Sequence, residues 1–172
     1  MSQERKGVVT FKGNPLTLIG PELKVGDKAP DFQLLKNDLS VVNLASSKGK
    51  VRLFNVVPSL DTPVCDAQTK RFNEEAPHFP SHVQIYTVSC DLPFAQARWC
   101  GAAKVDRLTT LSDHRDLSFG QAYGLVIKEL RLLTRSIIIV NEQDKVSYIQ
   151  IVKEVTNQPN YDEVLSALKQ KV

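Results

Sequence analysis

The sequence is poor in cysteine, methionine and tryptophan, with three, one and one respectively among 172 residues. Cys65, Cys90 and Cys100 include no Cys-x-x-Cys pair, which excludes a thioredoxin-type dithiol. Their spacing fits no zinc pattern, and His78, His82 and His114 lack ligand spacing with them, so no metal site is expected. Long apolar runs are missing as well. The longest, near Ile137–Val140, falls far short of the roughly 20 residues a membrane helix needs. Charge is not concentrated either: the net value is +3, and the densest basic segment, Lys128, Arg131 and Arg135, contains Glu129. That mixture lacks the basic stripe of a nucleic-acid binder. The polar opening from Met1 to Gly7 has no apolar signal core, which predicts a cytoplasmic protein.

What is present is enough apolar residue, 42%, to bury one ordinary core, and residues 1–172 read as a single domain. Gly7–Lys12 and Pro15–Ile19 predict an N-terminal β-hairpin over about 8–19, turning at Gly13-Asn14. A second strand pair is expected at Asp31–Leu35 and Val41–Leu44. The run Val51–Val57 reads as a buried central strand, followed by a helix over Cys65–Glu75 that Pro77 and Pro80 stop. Val83–Ser89 predicts another strand. A short helix starting at Asp91-Leu92-Pro93 should end at Gly101, and a further one spans Leu117–Tyr123 before Gly124. Ser136–Val140 and Val146–Val152 pair as strands, and Asn160 caps a last helix with Val164, Leu165 and Leu168 on one face. This order predicts an α/β, thioredoxin-like fold with a central mixed sheet and flanking helices.

The chemistry concentrates where the central strand hands over to the first helix. In Thr62-Pro63-Val64-Cys65, Thr62 suits the N-cap and Pro63 the first helical position, which puts Cys65 in the first turn. Unpaired backbone N–H groups there favour a thiolate. Magnitudes show that the helix end is insufficient. Lowering a thiol from a pKa of ~8.5 to ~6 requires about 3.4 kcal/mol, whereas a helix terminus supplies ~0.3–1 kcal/mol. A nearby cation must supply the rest. Arg135, immediately before the apolar strand, is the candidate, because an arginine buried at a strand start is costly unless paired. Composition alone would favour a surface ion pair for it.

The motif Pro58-x-x-x-Thr62-x-x-Cys65 resembles the active-site signature of the peroxiredoxins. The wider text resembles the bacterial thiol peroxidase subfamily: Pro58–Cys65, Arg71-Phe72-Asn73, Asp91–Gly101 and Gln121-Ala122-Tyr123-Gly124 stand in order at family spacing. The resemblance implies that Cys65 attacks the peroxide and Cys100 resolves it through an intramolecular disulfide. It implies further that Thr62 holds peroxide and thiolate, Pro58 shields the pocket and Arg135 is the active-site arginine. Hydrogen peroxide and organic hydroperoxides would be the substrates and thioredoxin the reductant, in a homodimer with no metal or organic cofactor. Cys90, at the end of an apolar strand, reads as a core residue. Cys100, in the last turn of its helix, sits where fraying costs least.

Two other function classes fit parts of this pattern. A cysteine hydrolase would need a histidine within hydrogen-bond reach of Cys65. A non-catalytic thioredoxin-like binding or chaperone module would tolerate loss of Cys65 silently.

Overall fold

A computed structural model describes residues 2–170. The chain forms β1 (Glu4–Phe11), β2 (Asn14–Ile19), β3 (Leu34–Leu35), β4 (Val41–Val42), β5 (Val51–Val56), α1 (Pro63–Glu75), β6 (Val83–Ser89) and α2 (Pro93–Ala103). It continues through β7 (Thr109–Ser112), α3 (Ser118–Ala122), β8 (Val126–Ile127), β9 (Leu132–Leu133), β10 (Ser136–Val140), β11 (Val146–Ile151) and α4 (Tyr161–Lys169). Seven strands form one sheet in the order β11-β10-β5-β6-β7-β3-β4, and β1-β2-β8-β9 form a smaller one. In the large sheet β5–β6 and β6–β7 are parallel and the remaining pairs antiparallel, so it is mixed.

β5 is buried at every position, as a parallel strand covered on both faces must be. Its alternate residues enter two different cores. Phe54 and Val56, with Ile138 and Val140 of β10, meet Phe32, Phe119 and Tyr123 on one face. Val51 and Leu53, with Ile137 and Ile139, meet Phe72 of α1, Trp99 of α2 and Val164 and Leu168 of α4 on the other. The second face carries the helices that bear Cys65 and Cys100. Among the described residues no helix is long and apolar enough to cross a membrane.

The structure departs from expectation in four places. The hairpin starts at Glu4, earlier than position 8, and turns at Lys12-Gly13 rather than Gly13-Asn14. Both turn residues have positive φ, 49° and 80°, which matches strand twist better than a turn one residue later. The second strand pair is shorter than expected, because Leu44 begins a 3₁₀ turn capped by Asn43. The α2 helix runs through Gly101 to Ala103 and ends where Lys104 adopts the left-handed conformation, its N–H bonded to the Cys100 carbonyl. Buried Val105 and Leu108 draw the following segment into the core, which outweighs the ~1 kcal/mol helix penalty of one glycine. Strands β7, β8 and β9 had no counterpart in the sequence reading. The two latter are two-residue strands, too short for any periodicity to register.

Candidate active site

Residues 57–62 carry the chain from β5 into α1. Thr62 has extended backbone (φ −129°, ψ 147°), and its Oγ1 accepts the Cys65 N–H at 3.4 Å, so it is the N-cap that the spacing predicts. The same hydroxyl donates to the Ser59 carbonyl at 3.2 Å. Pro63 takes the first helical position, and Pro58 is buried immediately after the strand. Cys65 is fully buried, with Val57, Leu60 and Trp99 packed around it.

Arg135 reaches this cysteine from across the fold. It precedes β10, is 2% exposed, and puts Nη2 3.3 Å from the Cys65 sulfur. Its Nε donates to the Val155 carbonyl at 2.8 Å and its Nη1 to Gln68 Oε1 at 2.7 Å. The surface ion-pair reading of Arg135 is thereby excluded. Each of its three nitrogens donates one hydrogen bond, so the buried guanidinium is partnered as a buried cation must be.

Gln68 was not anticipated. One helical turn after Cys65, its amide takes the Arg135 donor with its oxygen and donates with its nitrogen to Asn55 Oδ1. Asn55 in turn donates to Thr69 Oγ1 at 3.1 Å and Thr87 Oγ1 at 3.0 Å. All these side chains are buried, so the network fixes the guanidinium from behind. The signals were there in retrospect: Gln68 shares a helix face with Cys65 at i+3, and Asn55 interrupts an otherwise apolar central strand. Asp91 was also missed. Its carboxylate accepts from Ser59 Oγ, the Leu60 N–H and Ser89 Oγ, each at 2.7 Å, and so ties the loop before Cys65 to the start of α2.

Cys100 lies elsewhere. It is half-buried, 3.6 Å from Thr110 Oγ1, which donates to Asn37 Oδ1 at 3.0 Å. It borders a cavity of about 340 Å³ lined also by Lys36, Asp38 and Leu108. Burial holds its thiol above the ordinary value, the two polar neighbours opposing it. All three cysteines are free thiols. Cys90, packed against the large core, is pushed up to about 12, by burial first and then by the Asp113 charge.

The structure thus links Cys65 to Thr62 and to Arg135, keeps Pro58 buried on the segment that leads to them, and leaves Cys100 against Thr110 of β7. No histidine hydrogen-bonds to Cys65 among the described residues, so the hydrolase reading has no base at the sulfur. Comparison with known proteins gives the family. The Redoxin family model matches residues 24–165. A thiol peroxidase of Halalkalibacterium halodurans is 60% identical over 161 residues, covering 94% of this chain and 96% of that protein.

The chain belongs to the thiol peroxidases.

A second thiol peroxidase, from Bacillus subtilis, is 58% identical over the same shares of both chains. The crystal structure of a peroxiredoxin-like protein from Aquifex aeolicus superposes with a TM-score of 0.90 at 42% identity, covering 96% of this chain and 98% of that one. As a thiol peroxidase the protein is a peroxiredoxin-type enzyme with thiol-dependent peroxidase activity. The fold is the thioredoxin-like α/β arrangement expected from element order.

Proposed function

We propose that Cys65 is the attacking thiolate of this thiol peroxidase and that Cys100 resolves it. The observation that carries the reading is the Arg135 guanidinium 3.3 Å from the Cys65 sulfur, buried and held by Gln68 and Val155. A charge-assisted donor at that distance favours the thiolate and stands ready for the oxygens of a bound peroxide.

The cycle then runs as a balanced pair of displacements. The Cys65 thiolate attacks the distal oxygen of a hydroperoxide in line. The O–O bond breaks, sulfur gains the hydroxyl as a sulfenic acid, and hydroxide or alkoxide leaves and takes a proton. Arg135 stabilises the charge that builds on the oxygens, and Thr62 turns its hydroxyl hydrogen from the Ser59 carbonyl towards the substrate. Pro58 shields the pocket. Cys100 next attacks the Cys65 sulfur, a disulfide forms, and water leaves. Thioredoxin, a dithiol protein, restores both thiols by exchange.

Hydrogen peroxide and organic hydroperoxides are the proposed substrates, and the cytoplasm, where thiols are kept reduced, is the proposed compartment. A homodimer is the proposed assembly, supported by Leu92 and Phe94, large apolar side chains exposed at the start of α2. Residues 1–172 are proposed to act as one domain. The test is a peroxide-consumption assay with thioredoxin on native protein and Cys65→Ser. The variant is expected to lose turnover entirely while keeping its fold. Retained turnover would overturn the assignment.

A further inference from the structure

Cys65 and Cys100 face different neighbours, so a disulfide between them needs both helix segments to open. What links those openings is visible at the residue before Cys100. The Trp99 indole N–H donates to Asp66 Oδ1 at 3.0 Å. Asp66 directly follows Cys65 in the first turn of α1, and the indole packs on the cluster that covers Cys65. Successive helix residues diverge by about 100°, so Trp99 faces α1 while Cys100 faces β7.

The rest of α2 is anchored differently. Asp91 fixes its start to Ser59 and Leu60, and fully buried Gln96 donates to Ser89 Oγ at 3.0 Å and to the Leu111 carbonyl at 2.9 Å. Beyond Gln96, the side-chain hydrogen bonds from α2 to the body of the protein, among the described residues, are Trp99 to Asp66 and the long Cys100–Thr110 contact.

We infer that the Trp99–Asp66 hydrogen bond is a latch that couples the two openings and so sets how fast the oxidised Cys65 is resolved. Trp99 and Asp66 are positioning residues: neither needs to touch the peroxide. When the turn carrying sulfenylated Cys65 unwinds, Asp66 moves with it and releases the indole. The C-terminal half of α2 then unwinds from Trp99 onward and frees Cys100, while Asp91 and Gln96 hold the first half. A latch that holds longer leaves the sulfenic acid exposed to a second peroxide, which oxidises it to sulfinic acid and leaves as water or alcohol. The latch therefore governs the partition between disulfide and sulfinic acid. This inference rests on the roles proposed for Cys65 and Cys100.

The experiment treats the reduced full-length protein with graded hydrogen peroxide, quenches with a thiol-blocking reagent, and reads the sulfinic-to-disulfide ratio by peptide mass spectrometry. Both products branch from one sulfenic acid, so the ratio is independent of the rate of the first step. Trp99→Phe keeps an aromatic ring and removes the donor. It is expected to lower the ratio at least about tenfold, the lower end of the range for loss of one hydrogen bond to a charged group. Asp66→Asn, which keeps an acceptor oxygen, should fall between native and Trp99→Phe. In an Asp66→Ala background, Trp99→Phe should change nothing further, whereas general loosening of the helix would add to it. A ratio within about twofold of native in Trp99→Phe, or independent effects of the two substitutions, overturns the latch. If native protein shows no oxidation at Cys65 at all, the cysteine assignment itself fails and the latch falls with it.

Discussion

Cys65 and Cys100 sit in the same layer of helices and are built on opposite plans. Cys65 is wholly buried, faces a guanidinium whose every arm is engaged, and is backed by the Gln68–Asn55–Thr69/Thr87 chain of hydrogen bonds. Cys100 is half-exposed beside a cavity, with one 3.6 Å contact to a hydroxyl and a helix end that closes on a left-handed lysine. The first arrangement spends buried polar groups to hold one geometry. The second spends almost nothing, so it can open. A centre that must meet a small substrate in a fixed orientation gains from preorganisation, and a thiol that must travel gains from weak attachment.

The comparison breaks most visibly at Arg135. Arg135→Ala removes the donor at the sulfur and is expected to slow peroxide-dependent oxidation of Cys65 about 10²–10³-fold, the usual cost of one charge-stabilising donor. Stopped-flow oxidation rates check this, and a loss smaller than tenfold would mean the guanidinium is structural. Cys100→Ser should act later. One equivalent of peroxide is consumed and a sulfenic acid accumulates that a dimedone-type probe traps, while thioredoxin-driven cycling stalls.

Cys90→Ala sharpens the contrast from the third cysteine. With its thiol pushed up to about 12 by burial and Asp113, Cys90 should stay unmodified while the other two cycle. The variant should therefore keep native turnover. The smallest effect is a control that touches neither cysteine. Glu154 accepts from Thr10 Oγ1, the Lys12 and Gly13 N–H groups and Thr156, tying the hairpin to the segment after β11. These bonds hold its carboxyl down at about 2, against an ordinary 4.5. A depressed carboxyl contributes stability that is full above pH 4.5 and is lost as the pH falls towards 2. Amide protection across β1 and β2, taken relative to the intrinsic exchange rate at each pH, should therefore fall on acidification through that window, and Glu154→Gln should show lowered protection already at neutral pH.

The parts of the site that were legible in the sequence are those set by local chemistry. Thr62-Pro63 announces a helix start whatever surrounds it, and Val51–Val57 announces a buried strand by composition. Arg135 was legible only as a buried charge in need of a partner, since 70 residues separate it from the sulfur it meets. The family resemblance, and not spacing, supplied that pairing. Gln68 and Asn55 stayed hidden because an amide buried in a network looks in sequence like any surface glutamine or interrupted strand. The Trp99–Asp66 bond was hidden for the same reason: it crosses between helices, and no periodicity encodes the angle at which two helices meet. The end of α2 was misplaced because glycine marks a stop only when nothing downstream pulls the chain on, and here Val105 and Leu108 do.

The central claim, an attacking centre held fixed until it is oxidised and a more loosely held resolving one within one chain, is tested most directly by mixing reduced protein with one equivalent of hydrogen peroxide. Trp99 emission, thiol count and peptide mapping are followed together. The account predicts a fast change in emission as the indole leaves Asp66, loss of two thiols, a Cys65–Cys100 disulfide and an intact Cys90, all abolished in Cys65→Ser. Loss of a single thiol with unchanged emission, or a disulfide that includes Cys90, would contradict it.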